Sequence, residues 1–178
     1  MKKIPLAFAL IIGLLTSAST LQAQTVNMNS YITLTVKKNK MISFEYAAAA
    51  DSTPIKIKNN NIGDVRHANK NKGYFFNTSL GTIITIYGDI TKFYCKNNGA
   101  NIIGIDISHN TGLLELNCAN DSIRNLDVTK NTSLELLDCN SNQLSSLDVT
   151  KNTELTKLFC GSNKLSSLDV TKNTKLTK

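Results

Sequence analysis

The stretch Leu155-Thr-Lys-Leu158-Phe-Cys160-Gly-Ser-Asn163-Lys-Leu165 decides the fold of this chain. Leu158 and Cys160 alternate around Phe159, and a period of two predicts a short strand whose apolar side chains point inward. The same pattern returns every 21 residues through the second half of the chain. Repetition at a fixed period predicts stacked coils rather than a set of independent elements.

Each column of the repeat keeps its residue type. The cysteines form one inward column: Cys95, Cys118, Cys139 and Cys160. The first interval is 23 residues instead of 21, and Gly99-Ala100 explain the difference as a turn insertion. A polar column follows each strand: Asn98, Asp121, Asn142 and Asn163. We expect these asparagines to bridge turn backbone groups of neighbouring coils, with Asp121 as a substitute in one coil.

Written as Leu-x-x-Leu-x-Cys-x-x-Asn-x-Leu, the unit matches the leucine-rich repeat consensus of roughly 20 to 29 residues, with Cys where Leu is usual. Residues 90 to 178 therefore resemble bacterial secreted leucine-rich repeat proteins, and are similar to the cysteine-ladder internalins and to surface proteins of the Bacteroidetes type. The resemblance implies a mainly β, right-handed solenoid with a parallel sheet. It also implies recognition of a partner through the concave face.

The N-terminus has the pattern of a secretory signal peptide. Lys2 and Lys3 precede an apolar run from Ile4 to Leu15, and a polar stretch leads to Leu21-Gln22-Ala23. This pattern predicts cleavage near Ala23 and a secreted or cell-surface product. The apolar run of about 12 residues is too short to span a membrane, so no membrane span is expected in the mature chain.

Residues 24 to 89 do not repeat. Four β-branched, alternating runs predict strands at residues 31–36, 41–46, 54–57 and 82–87. Asn-rich and Lys-rich segments at 59–61 and 67–73 predict loops. Because the ends of a solenoid expose apolar edges, we expect this region to form a small β-sheet cap on the first coil.

Composition and charge exclude some partners. The chain has 22 Asn and 19 Thr, which suit coils with turns at both ends. The formal charge is +7, and without Lys2 and Lys3 there are 18 basic and 13 acidic side chains. Residues 24–89 carry +4 and residues 90–178 carry +1. No concentrated basic patch is present, so we expect no nucleic-acid partner.

The residues that could carry chemistry have simpler structural roles. Four secreted cysteines suggest two disulfides, but parallel Cβ vectors about 4.8 Å apart favour buried free thiols. Zinc would need converging ligands, and the Asp106, Asp127, Asp148 and Asp169 column suits turn capping better than calcium. His109 and Asp106 with a serine have no spacing typical of a catalytic triad. We therefore expect no cofactor, no metal and no enzymatic activity.

The outward positions of the repeat strands form the candidate binding surface. The predicted central column is Tyr94, Asn117, Asp138 and Phe159. The predicted flanking column is Lys92, Glu115, Glu135 and Lys157. Exposed aromatic side chains on a rigid sheet are typical anchors for partners, so a protein or glycan ligand is expected here. The alternative is a structural spacer that presents other domains and has no ligand.

The last coil also carries a prediction. Leu176-Thr-Lys178 lies just before the next Leu-x-Cys-x-x-Asn that the period demands. We expect an open coil that marks either a truncated gene product or a fragment of a longer array, and end-to-end association through that coil.

Overall fold

The computed structural model describes residues 25–50, 53–60, 62–67 and 72–178, with the backbone alone at residues 62–67. The predicted signal peptide at residues 1–23 lies outside the described residues. The described part is mainly β and contains no helix. None of it forms a helix long and apolar enough to cross a membrane.

Eleven strands appear in the described ranges. Six lie in the region without repeats: β1 (Tyr31–Val36), β2 (Met41–Ala48), β3 (Pro54–Asn59), β4 (Ile62–His67), β5 (Lys72–Thr78) and β6 (Ile83–Tyr87). Five lie in the repeat region: β7 (Ile90–Tyr94), β8 (Ile102–Asp106), β9 (Glu115–Asn117), β10 (Leu136–Asp138) and β11 (Lys157–Phe159).

The strands form two sheets, and each sheet contains strands from both regions. The first sheet has the order β4-β3-β6-β1-β8 and is antiparallel throughout. The second has the order β11-β10-β9-β7-β2-β5. Its repeat strands are parallel, whereas β2 is antiparallel to both β7 and β5. The non-repeating region therefore extends both walls of the coils.

One hydrophobic cluster fills the space between these walls. In β1 every second residue is buried, and the alternating Ile32, Leu34 and Val36 belong to the same cluster as Leu137 and Leu155 of the repeats. This alternation gives one apolar face to each strand, as the period of two predicts. The core thus continues without interruption across the predicted boundary at residue 89.

The structure extends the predicted strands and adds two. Strands β1, β2, β3 and β6 confirm the four predicted runs with small shifts at their ends. The predicted loop at 67–73 was wrong at its edges, because His67 ends β4 and Lys72 begins β5. Gly73 is a packing residue there, since a Cβ on it would stand 2.1 Å from the Tyr46 ring. Pairing with β2 decides the conformation of β5 more than its local sequence does.

The wall opposite the parallel strands is irregular after the first coil. In residues 102–178 this wall contains one strand, β8 of the first coil. Later coils turn twice instead, as in Asn131 N to Val128 O (2.9 Å) and Leu134 N to Asn131 O (3.0 Å). Turns replace a strand there because each aspartate side chain accepts a hydrogen bond from the backbone two residues later.

Candidate functional site

The outer face of the second sheet, opposite the core, carries most of the predicted binding residues. The register aligns Tyr94, Asn117, Asp138 and Phe159 in one row across β7, β9, β10 and β11. A neighbouring row aligns Lys92, Glu115, Leu136 and Lys157. All the predicted residues except Glu135 therefore lie together in two adjacent rows.

Glu135 was placed wrongly in the flanking column. Leu136 pairs with Glu115 on one side and with Lys157 on the other, whereas Glu135 precedes β10. The 21-residue period leads from Glu115 to Leu136, so strict counting along the sequence would have found it. The correction matters chemically, because a half-exposed apolar side chain replaces a charge in the middle of the row.

A three-residue cluster fixes the β7 end of the two rows. The Lys92 ammonium lies 2.5 Å from Glu115 Oε1, and the Tyr94 hydroxyl donates to Glu115 Oε2. Partial burial alone would raise the pKa of Glu115, but these two hydrogen bonds outweigh it and lower the pKa. Burial, and then the neighbouring carboxylates Glu115 and Glu45, raise the pKa of Tyr94. Tyr94 therefore stays neutral, with its ring held in one place.

The middle of the central row is polar and internally satisfied. Asn117 Nδ2 donates to Asp138 Oδ2 over 3.1 Å, and Asn117 Oδ1 accepts from Ala119 N over the same distance. Asp138 Oδ1 accepts from Asn140 N at 3.2 Å. These contacts order the side chains before any partner arrives, which reduces the entropy that binding would cost.

The outer face continues beyond the repeats onto β2 and β5. Glu45 pairs in register with Tyr94 on one side and with Tyr74 on the other. Tyr74 and Phe76 are 61% and 72% exposed. A cavity of about 390 Å³ lies among Ser43, Glu45, Tyr74, Phe76, Tyr94 and Lys96, and we call it the aromatic groove. Sequence reasoning missed it, although the run Tyr74-Phe75-Phe76 around the buried Phe75 was the available signal.

The polar column after the strands bridges coils as expected. Asn142 Nδ2 donates to Cys118 O (2.7 Å) and Cys139 O (3.1 Å), while its Oδ1 accepts from Ile123 N (3.0 Å). Asn163 repeats this pattern one coil later, and Asn98 connects the first coil to Ser43 of β2. These residues hold the coils in register and lie away from the outer face.

Asp121 departs from that pattern. Its Oδ1 accepts from Asn98 N at 3.1 Å, but its buried Oδ2 has no hydrogen-bond partner among the described residues. Burial raises the pKa of this carboxyl to about 7, although the bond from Asn98 lowers it in part. Asp121 is therefore the member of the column whose charged form is disfavoured by its surroundings below about pH 7.

The four cysteines are free thiols in this structure. Cys95, Cys118 and Cys139 are buried, and Cys160 is half-buried in the last coil. Burial raises the pKa of all four, in the case of Cys139 to about 12. They pack as apolar groups with little thiolate character. Within the described residues no three His, Cys, Asp or Glu side chains are grouped so as to hold a metal ion.

The aspartate column caps turns. Asp127 Oδ1 accepts from Thr129 N (2.9 Å) and from the Thr129 hydroxyl (2.7 Å), and Asp148 and Asp169 repeat this geometry. The Thr129 hydroxyl and then its backbone N–H lower the pKa of Asp127. In the first coil Asp106 caps Ser108, whose hydroxyl lies 3.1 Å from His109 Nδ1. Asp106 thus contacts the serine, whereas a triad needs it on the imidazole.

Comparisons with known proteins give one structural match. No family model matches the chain, and no curated protein matches it. Among solved structures, the chain is similar to the functional domain of InlJ from Listeria monocytogenes, which includes a cysteine ladder. The identity is 31%, over 56% of this chain and 27% of that chain, with a TM-score of 0.45. The match thus spans about a quarter of that structure's length.

Proposed function

We propose that this chain is a non-enzymatic protein-interaction module of the leucine-rich repeat type, secreted by a bacterium or displayed on its surface. In this proposal residues 90–178 are a right-handed solenoid, residues 24–89 are its cap, and residues 1–23 direct export. The parallel strands β7, β9, β10 and β11 pair at intervals of 23, 21 and 21 residues, which supports a stacked array. A protein partner is the first expectation, and a glycan is the second.

The observation that carries the proposal is an apolar pair on the outer face. Leu136 and Phe159 lie diagonally across β10 and β11, and both remain partly exposed. The inward positions beside them are already filled by Leu137 and Leu158, so these two side chains add nothing to the core. Charged residues Asp138 and Lys157 border them. Apolar side chains inside a polar rim are typical of the anchoring centre of a protein interface.

Array binding of paired variants tests this proposal. The purified chain is screened on a protein array and a glycan array, beside the double variant L136S/F159S. Loss of two anchoring side chains should weaken binding to any true partner by more than about tenfold. The matched control is Ile103→Ser, which removes an apolar side chain, 42% exposed, from a strand of the first sheet. Thermal unfolding of all three proteins verifies that each is folded.

Two outcomes would contradict the proposal. Binding that L136S/F159S and I103S weaken equally would place the interface elsewhere. Absence of any bound partner on either array, with all proteins folded, would favour a structural spacer that presents other domains.

A further inference from the structure

The aromatic groove has the dimensions of a site for a positively charged side chain. Tyr94 on β7 and Tyr74 on β5 stand on either side of Glu45 on β2, in one row of the register. Adjacent strands lie about 4.8 Å apart, so these two side chains arise about 10 Å from each other. If both rings stand straight above their strands, a cation midway between them would lie about 5 Å from each, inside the roughly 6 Å reach of a cation–π contact.

The same spacing argues against a flat neutral ligand. A sugar or aromatic ring stacked between two aromatic faces needs about 7 to 8 Å, since each stacking contact takes about 3.5 to 4 Å. At about 10 Å such a ring would touch one wall only. Phe76 lies on β5, the same strand as Tyr74, and pairs with Ser43 of β2. It extends the wall formed by Tyr74 and would cover the aliphatic part of a long side chain bound in the groove.

The carboxylate between the two tyrosines has the matching sign. Glu45 is exposed and forms no ion pair with another described residue. Lys92, which lies in the neighbouring row opposite Ala47, is already bound to Glu115. Lys96 also lines the groove but lies two residues beyond Tyr94, past the end of β7, and Lys72 lies opposite Ala47, so both are displaced along the strands from the position of Glu45. The Glu45 carboxylate is therefore available as the counterion at the floor.

One wall of the groove is fixed in advance. The Tyr94 hydroxyl is bound to Glu115, which the Lys92 ammonium holds from the other side. A ring that is already immobile loses no rotamer freedom when a ligand stacks on it, which favours binding.

We propose that the aromatic groove binds an arginine or lysine side chain of the partner protein, with Glu45 as counterion and Tyr74, Phe76 and Tyr94 as walls. This proposal deepens the proposed function, because the groove and the apolar pair share one continuous outer face. It also predicts what the partner presents: a basic side chain over β5, β2 and β7, and an apolar contact over β10 and β11.

The test uses two small probes that differ in charge alone. N-acetyl-arginine amide and its neutral isostere N-acetyl-citrulline amide are titrated into the ¹⁵N-labelled chain, and amide shifts are followed by NMR. The arginine probe should shift the signals of Glu45, Tyr74 and Phe76, with an affinity at least about fivefold above that of citrulline. Glu45→Gln should remove this preference, and Phe76→Ala should weaken both probes. Glu135→Gln, another exposed carboxylate beside the same sheet, is the matched control and should bind as the unaltered chain does.

Equal binding of the two probes would overturn the proposal, as would an unchanged preference in Glu45→Gln or shifts located elsewhere. A neutral oligosaccharide that binds the groove regardless of Glu45→Gln would assign the site to glycans instead. Because the probes need no partner protein, this test can fail while array binding that depends on Leu136 and Phe159 persists, and the reverse also holds.

Discussion

Replacing Asp121 by asparagine should stabilise this protein and remove a pH dependence. In the neighbouring coil the Asn142 amide donates to two main-chain carbonyls, whereas the equivalent atom of Asp121 is an oxygen that has no hydrogen-bond partner in the described part of the chain. An ionised carboxylate at that place adds a buried charge beside the buried Cys95 and Cys118 thiols. The asparagine variant restores the donor that the rest of the column uses.

The size of the effect follows from the shifted pKa. Asp121 rises from an ordinary 3.8 to about 7 in the folded state. Below pH 3.8 the carboxyl is neutral in both states and causes no loss. Between 3.8 and 7 the unfolded chain ionises while the folded chain does not, so stability falls as the pH rises, and above 7 the loss is constant. The shift bounds that loss at about 4 kcal/mol, and local relaxation around a single orphaned group brings the expected value to ~2 kcal/mol.

Urea unfolding followed by far-ultraviolet circular dichroism measures this directly. We expect the unaltered chain to lose stability between pH 5 and pH 7, and Asp121→Asn to flatten that slope and to be more stable by about 2 kcal/mol at pH 8. Asp127→Asn is the control, because it removes an exposed carboxylate whose pKa is lowered and so leaves the slope above pH 5 unchanged. An Asp121→Asn protein that keeps the slope, or that is less stable at pH 8, would refute the reasoning.

Three further predictions follow from the columns and the outer face. Asn152→Ala removes the side-chain donor to the carbonyls of Val128 and Asn131 (2.9 and 2.8 Å), which keep their main-chain donors, and should cost about 1 to 2 kcal/mol in urea unfolding, whereas the exposed Asn125→Ala should cost less than about 0.5 kcal/mol. A thiol-reactive aromatic disulfide at pH 8 should label Cys160 first and Cys95, Cys118 and Cys139 only at the rate of unfolding, so fast labelling of all four would contradict the buried column. Glu115→Gln removes the second-largest cause of the raised Tyr94 pKa and should move that pKa back toward 10, as an ultraviolet titration of the phenolate can show, while Glu154→Gln should leave it unchanged.

The repeat could be predicted from the sequence because its information is local and redundant. The period alone places Cys118, Cys139 and Cys160 in one inward column and Asn117 beside Asp138 on the outer face. Glu135 was placed wrongly because two leucines, Leu136 and Leu137, follow it. Either leucine can be matched to the inward position of the repeat unless the 21-residue period is counted strictly. A shift of one residue moves a side chain to the other face of a strand, so the error exchanged an apolar contact for a charge.

The aromatic groove could not be predicted in the same way. It needs β2 to pair with β5 about 30 residues later in the chain and with β7 further on, and neither pairing leaves a local pattern. Gly73 and the surrounding Asn and Lys residues indicate a loop by composition. The structure gives the reason for a glycine in this strand: the Tyr46 ring packs over Gly73 and leaves no room for a Cβ atom.

Because the coils are evenly spaced, distances between contacts on the outer face change only in steps of one strand spacing. The groove lies on β5, β2 and β7, and the apolar pair lies on β10 and β11, so their separation is a whole number of strands. Duplication or loss of one 21-residue unit between them would change that distance by about 4.8 Å and alter neither site. A lineage could thus retune which partner spans both contacts by changing copy number, without a single substitution in a binding residue.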